Sequence, residues 1–192
     1  MLKRLILSFL AIPSKLHNAF MLRYKKVEFA NKPKIRGKLR VYGRGRIILG
    51  KNVEINSSLG SNPIGGDTQA IFSVGHGAVL TIGDDTGISN ATIFCKEKVT
   101  IGSNVKIGGS VKIYDSDFHA LDFLERRNPE TDITKLAAVT IGDDCFIGAH
   151  SIILKGVEIG ARSIIGAGSV VTRSIPEGEI WGGNPAKHIR KI

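Results

Sequence analysis

IGDDCF at 141–146, IGAHSI at 147–152, ILKGVE at 153–158, IGARSI at 159–164 and IGAGSV at 165–170 run on without a break to Val171. Branched aliphatics stand at 141, 147, 153, 159, 165 and 171, a constant step of six, and Gly follows at 142, 148, 160 and 166. That step is neither the period of about 3.6 of a helix nor the spacing of about 8–12 of hairpins, so each hexad reads as one short strand plus one corner. Gly relieves the backbone at the corner, and the residue four after each aliphatic (Cys145, Ser151, Val157, Ser163, Ser169) is small or branched, as converging walls require. Three such walls close a triangular coil of about eighteen residues, and stacked coils bury one aliphatic column that no single hexad could bury alone.

Working upstream, KIRGKLRVYGRGRIILGKNVEIN (34–56) alternates apolar and polar residues and enters the hexad register at Leu49 and Ile55. Residues 57–72 lose the pattern and read as a Gly-rich loop. The register returns at Ile82, Ile88 and Phe94, and the seven residues from Phe94 to Ile101 predict a bulge or wider corner near Lys96 to Lys98. Ile101, Ile107 and Ile113 continue it. Between Ile113 and Val139 the period fails, and a polar excursion carries six acids, the pair Arg126 and Arg127, and His119. An insertion of that length in a strict array points to function.

IGAGSVV, the ending WGGNPAKHIRKI and the upstream IYDSDFHALD together resemble the hexapeptide-repeat acyltransferases, in particular the sugar and glycan O-acetyltransferases. The resemblance covers residues 40 to 192. It implies an all-β fold, a left-handed parallel β-helix, although crossover connections between parallel strands are otherwise right-handed. Residues 1–36 are then expected as an N-terminal helical basic segment, 37–176 as the β-helix with a catalytic loop at 114–138, and 177–192 as a C-terminal cap.

The 192-residue length suits one domain, and 23 Gly with 6% aromatics suit narrow coils. Cys95 and Cys145 lie fifty residues apart without metal-ligand spacing, so no metal site or disulfide framework is expected, and both read as buried thiols in a reducing compartment. The net charge of +10 is lopsided: residues 1–48 hold 13 Lys and Arg against Glu28 alone (+12), and the rest of the chain holds 14 against 16 (−2). Two short helices are expected around Pro13. The first apolar run is far below the ~20 residues that span a bilayer and no cleavage site follows it, which predicts a cytoplasmic protein. This segment reads as a cap over the raw end of the coil, or as an interfacial helix presenting Lys3, Arg4, Lys15, Arg23, Lys25 and Lys26 to an anionic membrane surface. No nucleic-acid recognition motif accompanies it.

Histidine is the side chain suited to take a hydroxyl proton near neutrality and return it to a leaving group. The match of IYDSDFHALD to the family's catalytic loop makes His119 the expected general base, while His17, His76, His150 and His188 read as surface residues. A working imidazole needs its second nitrogen held. Asp115, Asp117 and Asp122 are the near acids, with Asp117 the expected partner and a backbone carbonyl the alternative. The resemblance further implies acetyl-CoA as co-substrate, direct transfer without an acyl-enzyme, and a homotrimer with the coenzyme slot between subunits. It carries the coenzyme contacts onto Ala149, Ala167, Thr172, Arg173, Lys187 and Arg190. Arg126 and Arg127 are candidates for an acidic acceptor, or for pairing with Glu125 and Asp132. The expected function is O-acetylation of a sugar or polysaccharide repeat unit. N-acetylation of an amino sugar and a non-catalytic scaffold are the alternatives, and a zinc-dependent carbonic anhydrase is disfavoured because no two histidines are five residues apart.

Overall fold

The structure, a computed structural model, describes residues 12–63 and 68–192. The first of the two expected N-terminal helices lies outside those residues. The second is α1 (Ile12–Tyr24), with Pro13 in its opening turn, where a missing N–H costs nothing.

Three parallel sheets follow. The first wall stacks β1 (Glu28–Phe29), β4 (Arg46–Leu49), β7 (Val79–Ile82), β10 (Lys98–Ile101), β13 (Val139–Ile141) and β16 (Glu158–Ile159). The second stacks β2 (Lys34–Gly37), β5 (Glu54–Ser57), β8 (Gly87–Ser89), β11 (Lys106–Ile107), β14 (Phe146–Ile147), β17 (Ile164–Ile165) and β19 (Glu179–Gly182), and ends on β20 (Lys187–Lys191). The third stacks β3 (Arg40–Gly43), β6 (Ile71–Val74), β9 (Thr92–Cys95), β12 (Lys112–Tyr114), β15 (Ile152–Ile153) and β18 (Val170–Val171). Together they close a left-handed parallel β-helix. Ile141 pairs with Ile159, Ile147 with Ile165 and Ile153 with Val171, each one coil of eighteen residues away. All six side chains are buried in one column. Antiparallel pairing of β20 with β19 ends the stack.

Close stacking explains particular glycines. A Cβ on Gly102 would lie 2.3 Å from Asp143 Oδ1, the oxygen that accepts the Ser103 N–H at 2.7 Å, so the carboxylate that ties one coil to the next needs a bare corner beneath it.

One register expectation is corrected. Ile93, not Phe94, enters the column: Ile93 pairs with Ile113, and Phe94 stands beside Tyr114 on the outer face. The corner after Ile88 is one residue shorter than its counterpart after Ile107, because Asn90 (φ 47°) occupies the left-handed position that Ser110 (φ 60°) occupies one coil on. The step is therefore five to Ile93 and eight from there to Ile101. The wider corner falls at Lys96 to Lys98, and the buried carboxylate of Asp115 fills it, accepting N–H bonds from Lys96, Glu97 and Lys98 at 2.8–3.0 Å.

Candidate active site

The excursion leaves the corner between the third and first walls, directly after β12. Its base is zipped: Ser116 bridges Leu136, the Asp117 N–H donates to Lys135 O, and the Ala137 N–H donates to Asp115 O. The Gly156 N–H then donates to Ala137 O and ties the returning strand to the next coil. Inside the excursion a single helical turn, α2 (Phe123–Arg127), is capped by Asp122, whose side chain accepts from Leu124 N at 2.7 Å and Glu125 N at 3.2 Å. The chain turns at Asn128 and comes back past its own beginning.

That return brings Asp132 to His119. His119 Nδ1 lies 2.7 Å from Asp132 Oδ2, while Asp132 Oδ1 accepts the Ala120 N–H at 2.7 Å. Both carboxylate oxygens are used, one for the ring and one for the backbone beside it. The hydrogen bond from His119, followed by that from Ala120 N–H, holds the Asp132 carboxyl below its ordinary value. A carboxylate at Nδ1 places the hydrogen there and leaves the Nε2 lone pair free. The His119 side chain is 65% exposed.

None of the three acids nearest to His119 in sequence holds the ring. Asp115 caps the Lys96–Lys98 corner, Asp122 caps α2, and Asp117, the expected partner, faces Lys155 Nζ at 3.3 Å. Asp132 stands thirteen residues on. The signal for it was the Asp122-x-x-Glu125 helix start followed by Asn128-Pro129, which reverses the chain.

Arg126 Nη1 donates to the carbonyls of Ala120 (2.8 Å) and Leu121 (3.2 Å), bracing the turn that carries His119. The Arg127 guanidinium lies 5.2 Å from the centroid of the Phe123 ring. Phe118 adopts φ 70°, rare for an aromatic residue, and packs its ring between Phe94 (4.6 Å) and Tyr114 (5.0 Å). This aromatic cluster stands on the outer face because of the register shift that turned Phe94 outward.

Four of the six residues expected at the coenzyme fall on two edges of the prism. Ala149 and Ala167 stack one coil apart at the corner between the second and third walls, where Gly168 N donates to Ala149 O. A Cβ on Gly148 would lie 2.5 Å from Ala167 N, so the backbone at this corner is close-packed, and Ala167 and His150 are exposed on it. Thr172 and Arg173 lie on the same corner as the His119 excursion, two coils beyond its start, with the Arg173 guanidinium 5.5 Å from the Trp181 ring. Lys187 and Arg190 are exposed on β20. Among the described residues no three His, Cys, Asp or Glu side chains form a metal-ligand set.

Residues 138–173 match the family model of the hexapeptide repeat of succinyl-transferase. A Saccharomyces cerevisiae protein is 43% identical over 122 residues, 63% of this chain and 60% of that one. The galactoside O-acetyltransferase of Escherichia coli is 40% identical over 103 residues, covering 54% of this chain and 49% of that one. Among solved structures, a hexapeptide-repeat acetyltransferase of Vibrio cholerae complexed with acetyl coenzyme A is 38% identical with a TM-score of 0.54, over 58% of this chain and 60% of that one. Over the residues matched, the chain is similar to hexapeptide-repeat acetyltransferases. It spans between about half and three fifths of the length of these curated relatives.

Proposed function

We propose that this chain is an acetyl-CoA-dependent O-acetyltransferase acting on a sugar or a polysaccharide repeat unit, with His119 as general base and Asp132 as the residue that fixes its ring. The 2.7 Å contact between them carries the proposal, because a carboxylate accepting from Nδ1–H selects the tautomer whose Nε2 lone pair a base uses. Acyl-coenzyme relatives support the co-substrate.

In this reading Nε2 takes the proton of an acceptor hydroxyl as its oxygen attacks the thioester carbonyl carbon. Collapse of the tetrahedral intermediate breaks the C–S bond, and the imidazolium returns the proton to the departing sulfur. An acetyl ester and the free thiol result. General base help of this kind is worth about 10²–10⁴ in rate.

The coenzyme residues support a site shared between chains. Within one chain His119 and the Ala149–Ala167 corner belong to different edges of the prism, and the two small alanine side chains, with His150 beside them, suit a thin pantetheine arm. In the proposed homotrimer the histidine edge of one subunit faces the alanine edge of the next. Thr172 and Arg173 complete the slot, and Lys187 and Arg190 meet the nucleotide phosphates, where Arg offers a planar fork and Lys a point charge. Arg126 is committed to the loop backbone, which leaves Arg127 to meet an acidic acceptor. The proposed setting is cytoplasmic, peripheral to the inner face of the membrane.

The test is thiol release from acetyl-CoA against panels of glycans, sugars, amines and serine. Turnover with hydroxyl acceptors is expected. Turnover with amines alone would make the protein an N-acetyltransferase, and none with any acceptor would leave a scaffold.

A further inference from the structure

Capping the coil accounts for one side of α1 only. The inner side is seated by Leu22, which is buried, and by Asn18, whose Nδ2 donates to Gly37 O at 2.8 Å and whose Oδ1 accepts from Leu39 N at 3.0 Å. His17 Nε2 adds a contact to Leu39 O at 3.1 Å. This seat fixes which side faces out. The outer side carries Ile12, Leu16, Phe20 and Tyr24 at a step of four, one continuous row down the helix. Leu16, Phe20 and Tyr24 are 67%, 65% and 67% exposed, and the rings of Phe20 and Tyr24 stack at 5.6 Å. Four large apolar side chains held in water along about 18 Å of helix are not a residue of capping.

Charge decides what covers them. No Asp or Glu occurs before Glu28, and Glu28 is paired with Arg46. A shallow groove beside the row is lined by Ala19, Val27 and Phe29 together with Arg23, Lys26 and Lys32. An apolar row with cations alone beside it matches the boundary between acyl chains and anionic headgroups. A second copy of α1 fits poorly, since two-fold pairing would set the same cations against each other.

We propose that the outward side of α1 is a docking surface for an anionic lipid bilayer. Ile12, Leu16, Phe20 and Tyr24 enter the interface while Lys15, Arg23, Lys26 and Lys32 meet the headgroups. This deepens the peripheral setting proposed above and does not depend on acyl transfer.

The test is flotation of the full chain with phosphatidylcholine vesicles, with and without about one third phosphatidylglycerol, a content that sets the surface potential the cations would feel. Flotation with the anionic vesicles, weakened by high salt, is expected. Leu16→Ser combined with Phe20→Ser should lower the partition coefficient at least about tenfold with an unchanged melting temperature. Arg23→Gln combined with Lys26→Gln should lower binding to anionic vesicles alone. Absence of anionic-vesicle binding by the unaltered chain, or binding indifferent to the Leu16 and Phe20 changes, would overturn the proposal. So would a stripe variant that loses an oligomer by light scattering while neither form floats, which would assign the row to a second copy. No acetyl donor is present, so failure here is distinct from failure of the enzymatic reading.

Discussion

His119 and Asp132 stand thirteen residues apart in the chain and 2.7 Å apart in space, joined by a loop that folds back around one helical turn. Asp132 binds the ring through one oxygen and the adjacent Ala120 N–H through the other, so ring and backbone are held as one unit.

Asp132→Asn separates orientation from charge. The amide oxygen can still accept from Ala120 N–H, but the amide nitrogen then faces Nδ1 as a donor. The imidazole must accept there, and its hydrogen moves to Nε2, where the lone pair is needed. A fall of about 10²-fold in kcat with little change in KM for acetyl-CoA is expected, within the range of general base catalysis. Steady-state kinetics on the variant reads it.

The same pair sets an acid limit on loop order. The native Asp132 carboxyl sits below its ordinary 3.8, so it stays ionised where an unfolded aspartate is already partly protonated. Its contribution is fully present above 3.8 and is lost only as pH falls through the lower native value. Limited proteolysis across 115–138 should therefore show the loop protected down to pH 3.8. Asp132→Asn, with no carboxyl at this position to protonate, should show less change in cleavage there as pH falls below 3.8.

Asp115 is predicted to matter for stability. Replacing it with Ala strips three backbone donors of their acceptor in the interior, and unpartnered buried donors cost about 1–3 kcal/mol each before relaxation. A loss of about 3 kcal/mol in denaturant unfolding is expected, since water will re-enter part of the corner.

Both thiols should be inert in the native state. Burial, with the nearby Asp115 carboxylate second, pushes the Cys95 thiol up to about 12. Burial also raises that of Cys145. Iodoacetamide at neutral pH should label neither until denaturant is added. The unfolded Cys95 ionises from its ordinary 9.0, whereas the native one keeps its proton to about 12, so native stability should fall as pH rises through that window.

The coil was legible because its signal is redundant: from Ile141 to Val171 every sixth residue is aliphatic and buried. Where redundancy failed, so did the reading. Phe94 and Ile93 are both apolar, and only the shortened corner at Asn90 decides which of them turns inward. The motif around His119 marked it as the candidate base, but the residue that holds its ring was not legible, because three nearer acids compete on sequence distance alone. Each is engaged by a group that sequence distance does not reveal: the Lys96–Lys98 amides, the start of α2, and Lys155 in the following coil.

The most direct test of the account is acetyl transfer by His119→Ala, measured as thiol release with an accepted glycan, alongside oligomeric mass and melting temperature. The ring is 65% exposed, so its removal should leave mass and melting temperature unchanged while turnover falls by about 10²-fold or more. A folded variant that transfers acetyl groups at the unaltered rate would contradict it.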